Sequence, residues 1–243
     1  MAGGGAGPRA GGPGGGAVIP VADRNPTRRR PVVTVTLIVV CVLVYLGQLA
    51  HGFEELVLGL GVVPAVLGGR AELAPELVLV PAPLTLLTYQ FVHGGLVHLA
   101  GNMLYLWIFG NNVEDRLGPL PFLAFYLGSG VAAGLLHLGL DPASEVPMVG
   151  ASGAISGVLA AYLLWFPRAR VLVVIPVAFL FTLWLPASVL IGVWLVVQVL
   201  GAITAGGEGG VAWWAHLGGF AAGLLVAALV GRPRASRRPG PWG

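Results

Sequence analysis

The sequence predicts an all-α membrane protein: a six-transmembrane-helix bundle with a long interfacial first loop and both termini cytoplasmic. Three observations predict it. Hydrophobic residues make up 56% of the 243 residues and charged residues only 9%, where a soluble domain carries about 25% charged residues. Mean hydropathy is correspondingly high, at +0.88. Finally, six stretches approach the roughly 20 apolar residues needed to cross a bilayer, and the charges fall between them, sorted by sign.

From Met1 to about Ala17 the chain is almost entirely Gly, Ala and Pro. Such a segment cannot bury a core, and residues 1–31 are expected to be a disordered cytoplasmic tail. Arg28-Arg29-Arg30 ahead of an apolar run resembles a secretory signal. No small-residue cleavage site follows, however, and the run is long enough to span, so a retained first helix is expected. The six spans are 32–50, 95–112, 119–139, 149–166, 186–204 and 211–231. Residues 51–92 are apolar only in patches and rich in Pro and Gly, which makes them a loop. The apolar stretch 171–184 is interrupted by Pro176 and followed by Pro186, so it reads as an extended or interfacial connection rather than a seventh span. The membrane domain is therefore 32–231, followed by a basic cytoplasmic tail, 232–243.

Charge sets the orientation. All thirteen basic residues are Arg. With the N-terminus inside, twelve of them are cytoplasmic and only Arg70 is outside, as the positive-inside rule requires. Glu54, Glu55, Glu72, Glu76, Asp141, Glu145 and Glu208 all fall on the outer side. Arg-only basicity with abundant Gly, Ala, Val and Pro points to a GC-rich bacterial genome, and hence to a bacterial plasma membrane. The single cysteine, Cys41, excludes an intramolecular disulfide and a cysteine-rich metal site. It is expected in core or lipid-facing packing. Nothing in the chain calls for a nucleic-acid partner.

The informative residues are polar ones inside apolar spans, where they are costly and mark function by default. Ser152 lies in Gly150-Ala-Ser-Gly-Ala-Ile-Ser-Gly157 at the mouth of the fourth span, and His216 in Ala215-His-Leu-Gly-Gly219 on the sixth. His98 and Asn102 lie on the second span at i and i+4, hence on one face. The second, fourth and sixth spans all enter from the outer face, so the four groups can share one layer below that surface. Gly153 and Gly157, and Gly219 and Gly223, form GxxxG pairs that let two helix backbones approach closely. Each pair begins one to three residues beyond Ser152 or His216.

A serine hydroxyl needs a base to become a nucleophile, and histidine is the usual one. No carboxylate sits near the outer end of the sixth span; Glu208, the nearest, is in the preceding loop. A Ser–His dyad is therefore expected rather than a triad. An oxyanion would draw on the first-turn N–H groups around Ser152 and on His98 and Asn102; each such donor is worth roughly 3–4 kcal/mol where measured. Blander roles exist for each group: Ser152 bonding its own backbone, His216 as a proton relay or packed ring, His98 and Asn102 tying spans together. Metal binding through His93, His98 and His216 lacks a carboxylate or cysteine to complete it.

These residues carry a resemblance. His93-Gly-Gly-Leu-Val-His98-Leu-Ala-Gly-Asn102, Gly110-Asn-Asn-Val-Glu-Asp-Arg-Leu-Gly118, Gly150-Ala-Ser-Gly153 and Ala215-His216-Leu-Gly-Gly219 occur in this order, and the chain from about 32 to 231 resembles the rhomboid intramembrane serine proteases. The resemblance implies a rhomboid-like bundle with Ser152 as nucleophile, His216 as general base, and an oxyanion hole of His98, Asn102 and the Ser152 N–H. Gly150, Ala151 and Gly153 would line the substrate. Glu114 and Arg116 would brace the first loop or helix ends, and the fifth span, near Trp184 and Trp194, would be a lateral gate. The implied partners are the bilayer and transmembrane protein substrates, cleaved in or near their spans at the extracytoplasmic side; no cofactor or metal is implied. Two departures stand out. Ser156 occupies the position where many members carry a Tyr against the catalytic imidazole, so that either Trp213 or Trp214 holds His216 or the dyad is looser. The first loop also lacks the Trp-Arg pair of many members. The competing readings are a non-catalytic rhomboid-like chaperone, which intact Ser152, His216 and Asn102 oppose, and a small transporter, which would want paired ionisable groups near the midplane.

Overall fold

A computed structural model describes residues 19–177, 179–204 and 212–231. It opens with a short strand, β1 (Ile19–Asp23), and a Pro- and Arg-containing link to helix α1 (Val32–His51). Helix α1 is amphipathic by packing rather than by polarity. Thr34, Leu37, Cys41, Tyr45 and Gln48, at helical spacing, are buried. Leu43, Leu46 and Leu49 on the other side are more than half exposed, as a lipid-facing stripe requires. Cys41 thus belongs to the core.

The first loop folds into short pieces: α2 (Phe53–Leu60), α3 (Pro64–Leu67), 3₁₀ turns at Pro75–Leu77 and Ala82–Leu84, and α4 (Thr85–Thr88). Pro occupies the first or second position of α3 and of both 3₁₀ turns, where its missing N–H costs nothing. The second rod is continuous from α5 (Leu96–Tyr105) through a π-helical turn (Leu106–Gly110) into α6 (Asn111–Leu117). Gly118, at φ +85°, turns the chain into α7 (Pro119–Leu140).

Helix α8 (Ser152–Trp165) is the centre of the bundle. Gly153 to Tyr162 are buried without a break, so the helix is apolar all round because it has neighbours all round. Trp165 at its far end donates through Nε1 to the carbonyl of Ala227 at 3.1 Å. Two strands follow, β2 (Arg170–Val177) and β3 (Phe179–Pro186), then α9 (Ala187–Thr204) and α10 (Trp213–Val230).

Four of these helices, α1, α7, α9 and α10, are long and apolar enough to cross a membrane. The other two expected spans are helical, but α8 has only 14 residues and the second rod ends in the charged run Glu114-Asp115-Arg116.

Two expectations need correction. The chain is mostly helical but not all-α: β1, β2 and β3 form one antiparallel sheet with β2 in the middle. The stretch 171–184 is extended, as expected, yet it is a hairpin, because β-branched Val171, Val173, Val174 and Ile175 favour strand and find a partner. That partner is the second correction. The sequence places residues 1–31 in a disordered tail, but within them β1 pairs with β2 from Ile19↔Val174 to Asp23↔Val171, with a register shift between Pro20 and Ala22. Asp23 Oδ2 then accepts from Tyr162 Oη of α8 at 2.6 Å and from Asn112 Nδ2 of α6 at 3.0 Å. The Arg24 guanidinium lies 4.1 Å from the centre of the Trp184 ring. Residues 1–18 and the tail 232–243 lie outside the described residues.

Glu114 and Arg116 brace helix ends. The buried Glu114 carboxylate accepts from Val33 N (2.9 Å), Thr34 N (2.8 Å) and Thr34 Oγ1 (2.8 Å), capping α1 where the helix dipole favours negative charge. Arg116 donates to the Gly231 carbonyl at 2.8 Å and stacks on Trp165.

Candidate active site

The two glycine pairs bring α8 and α10 together. A Cβ added at Gly219 would fall on the carbonyl oxygen of Gly153, and one at Gly223 on the backbone of Gly157. Only glycine allows that approach. Ser152 precedes Gly153 by one residue and His216 precedes Gly219 by three, so the contact carries both to one level.

Ser152 is the first residue of α8 and His216 the fourth of α10. His216 is therefore within the first turn. Ser152 Oγ lies 2.8 Å from His216 Nε2. The other ring nitrogen, Nδ1, lies 2.7 Å from Oε1 of Gln198 on α9. Trp194, one turn before Gln198, has its ring centre 6.0 Å from that of His216, and Trp213 meets the imidazole edge-on at 6.4 Å. Of the two tryptophans considered as substitutes for the missing Tyr, Trp213 is in contact, and Trp194 joins it. Ser156 is buried and donates to the Ser152 carbonyl at 2.7 Å. Glu208 lies outside the described residues.

Helix α8 begins three residues later than 149 because the preceding chain is held elsewhere. Met148 exchanges both backbone hydrogen bonds with Val62 (2.7 and 3.0 Å), and Gly150 N–H donates to Tyr89 O at 2.9 Å. Gly150 then turns at φ +115°, a conformation costly for any other residue. Its missing Cβ is also a packing requirement, since it would stand 2.6 Å from Cε1 and 2.7 Å from Nε2 of His98. The first bond of the helical ladder runs from Ile155 N–H to Ala151 O (2.9 Å). The N–H groups of Ser152 and Gly153 precede that ladder.

His98 and Asn102 share one face of α5 and line a single cavity of about 690 Å³ together with Ser152, His216, Trp194 and Phe53. Gly94 N–H donates to His98 Nδ1 across a long 3.4 Å contact, which leaves Nε2, on the Gly150 side, as the protonated nitrogen of the neutral ring. Asn102 Nδ2 donates to the His98 carbonyl at 3.0 Å, so one of its two N–H bonds remains available. His93, the third histidine considered for a metal, packs on His98 with ring centres 5.4 Å apart.

Gln198 escaped the sequence reading. It is 4% exposed within the apolar run 189–203 of α9, and a buried amide inside an apolar run is itself a signal. Its partner is 18 positions away on another helix, which spacing alone does not reveal.

Comparison with known proteins supports the resemblance. The family model described as Rhomboid domain matches residues 82–233, which leaves α1 to α3 outside the match. The chain is 32% identical over 154 residues to Rhomboid protein 1, mitochondrial, of Saccharomyces cerevisiae, covering 60% of this chain and 41% of that protein. It is 36% identical over 99 residues to the Homo sapiens presenilin-associated rhomboid-like protein, mitochondrial (40% of this chain, 26% of that protein). It is 42% identical over 78 residues to Rhomboid protease GluP of Bacillus subtilis (32% and 15%). The matched segment thus spans less than half the length of each of these relatives. The bacterial plasma membrane expected from composition gains no support from relatives named mostly as mitochondrial. What holds is the coarser statement, a membrane protein with several apolar helices. By the match over more than half its length, the chain belongs to the rhomboid family.

Proposed function

We propose that this protein is an intramembrane serine endopeptidase that hydrolyses peptide bonds in or near the transmembrane segments of membrane protein substrates. The observation that carries the reading is the 2.8 Å approach of Ser152 Oγ to His216 Nε2, between two helices whose glycines fix their separation. Family membership supports the reaction class.

In the proposed mechanism Ser152 Oγ attacks the scissile carbonyl carbon as His216 Nε2 takes the hydroxyl proton. The oxyanion is met by the Ser152 N–H, His98 Nε2–H and the free Asn102 N–H. His216 then gives its proton to the leaving amine, which departs and leaves an acyl-enzyme. Water, deprotonated by the same nitrogen, attacks the ester, and Ser152 regains its proton as the new carboxyl product leaves. Gly150, Ala151 and Gly153 would flank the substrate backbone.

Six spans are proposed, with both termini cytoplasmic and the site opening to the extracytoplasmic side, on the distribution of Arg. Depth supports water access: 14 residues make α8 about 21 Å long at ~1.5 Å per residue, short of the ~30 Å hydrocarbon thickness. Its Ser152 end would then sit below the outer surface.

The test is cleavage in liposomes of single-span peptides carrying Gly, Ala or Pro near the outer end, beside an all-Leu control. Wild type is expected to cut the former within or next to the span, and Ser152→Ala to cut neither. Cutting by Ser152→Ala, or none by wild type across the peptide set, would overturn the reading.

A further inference from the structure

The contact between Gln198 and His216 carries more than packing. Gln198 Nε2 donates to the Trp194 carbonyl at 3.1 Å. A carbonyl can only accept, so the amide nitrogen must face it, and the amide oxygen must therefore face His216. That oxygen also only accepts. Across its 2.7 Å separation from Nδ1, the proton has to be on the imidazole. A neutral imidazole has one N–H, so Nε2 carries the lone pair, 2.8 Å from Ser152 Oγ.

We infer that Gln198 is a positioning residue: its side-chain oxygen holds His216 in the Nδ1–H tautomer, the only neutral form able to take the Ser152 proton. This rests on the protease reading above and gives the dyad a third member, an amide in the place where a carboxylate orients the base in a triad. A neutral oxygen still favours the imidazolium formed on proton transfer, because its dipole points at the charged N–H.

The placement of Gln198 adds a consequence. Ser152 and His216 sit on α8 and α10, which glycine contacts lock together. Gln198 sits on α9, whose outer face is exposed at Val193, Val196, Leu200 and Ile203. Helix α9 holds the centre through Gln198 and Trp194 at one level and through Gly201, which has no room for a Cβ beside Trp213, at another. Correct orientation of the base thus depends on the seating of α9, and a displaced α9 leaves His216 free to adopt either tautomer.

The experiment compares full-length wild type, Gln198→Leu and Gln198→Glu in liposomes, with two readouts: ¹⁵N NMR of labelled histidine, His216 being assigned by its loss in His216→Ala, and the rate of covalent labelling by a fluorophosphonate. Wild type is expected to show the Nδ1–H tautomer. Gln198→Leu, which keeps the volume but cannot accept, should shift His216 toward Nε2–H and slow labelling about 10- to 100-fold. Gln198→Glu, which can accept, should restore both. A wild-type tautomer and rate in Gln198→Leu would overturn the inference, as would a Gln198→Glu no better than Gln198→Leu. Wild type that fails to label, yet shows an Nδ1–H tautomer lost in Gln198→Leu, would refute the protease reading and leave the positioning role standing.

Discussion

Gly219 of α10 lies so close to Gly153 of α8 that a Cβ on it would clash with the Gly153 carbonyl oxygen. The helix pair therefore has no slack at the level of Ser152 and His216. Gly219→Ala must push α10 outward and lengthen the 2.8 Å Ser152–His216 approach. We expect a loss of roughly 1–3 kcal/mol in stability from overpacking, read as a lower Tm in detergent, with at least a tenfold slower fluorophosphonate labelling. Gly192→Ala on α9, where a Cβ meets nothing within 4 Å, should leave both unchanged. A Gly219→Ala protein with wild-type labelling would mean that the dyad does not depend on this contact.

Gly150 does two jobs at once, turning at φ +115° and leaving room for the His98 ring. Gly150→Ala should displace His98 and strain the entry to α8. Measured against a cleavable transmembrane peptide, kcat should fall more than KM rises. A change confined to KM would assign Gly150 to substrate binding alone.

Asn102 has one N–H bonded to the His98 carbonyl and one free toward the cavity. Asn102→Ala should lower kcat about 10- to 1000-fold with little effect on KM. An unchanged kcat would leave the oxyanion to the Ser152 N–H and His98.

Asp23, outside the spans, has its carboxyl pKa raised by burial, partly offset by hydrogen bonds from Tyr162 and Asn112. A carboxyl raised in the folded state binds its proton more tightly there than when unfolded. Its contribution to stability is therefore full below the ordinary carboxylate range and declines as pH rises through the folded value. Asp23→Asn cannot titrate, so the Tm of wild type relative to Asp23→Asn should fall as pH rises above the ordinary carboxylate range. A difference that stays constant as pH rises would contradict the assignment.

Hydropathy made α1, α7, α9 and α10 legible because each carries a long apolar run, and the polar residues that line the cavity stood out against the apolar stretches around them. The glycine pairs were legible for the same reason, as small residues in a background of Leu and Val. The sheet was not. Strand β1 is five residues long between a Gly-rich tail and a Pro–Arg link, and nothing local reveals that Val171–Val174 will pair with it 150 residues later. Gln198 is obscure for a different reason: an amide does the geometric task of an orienting carboxylate without the charge that would mark it in an apolar run.

Activation of Ser152 by His216 is read out by covalent labelling with a fluorophosphonate in liposomes, the label being located by peptide mass spectrometry. Wild type is expected to label at Ser152, and Ser152→Ala and His216→Ala not at all, because the two residues act as a unit. Folded wild type that takes up no label, or label that persists in Ser152→Ala, would contradict it.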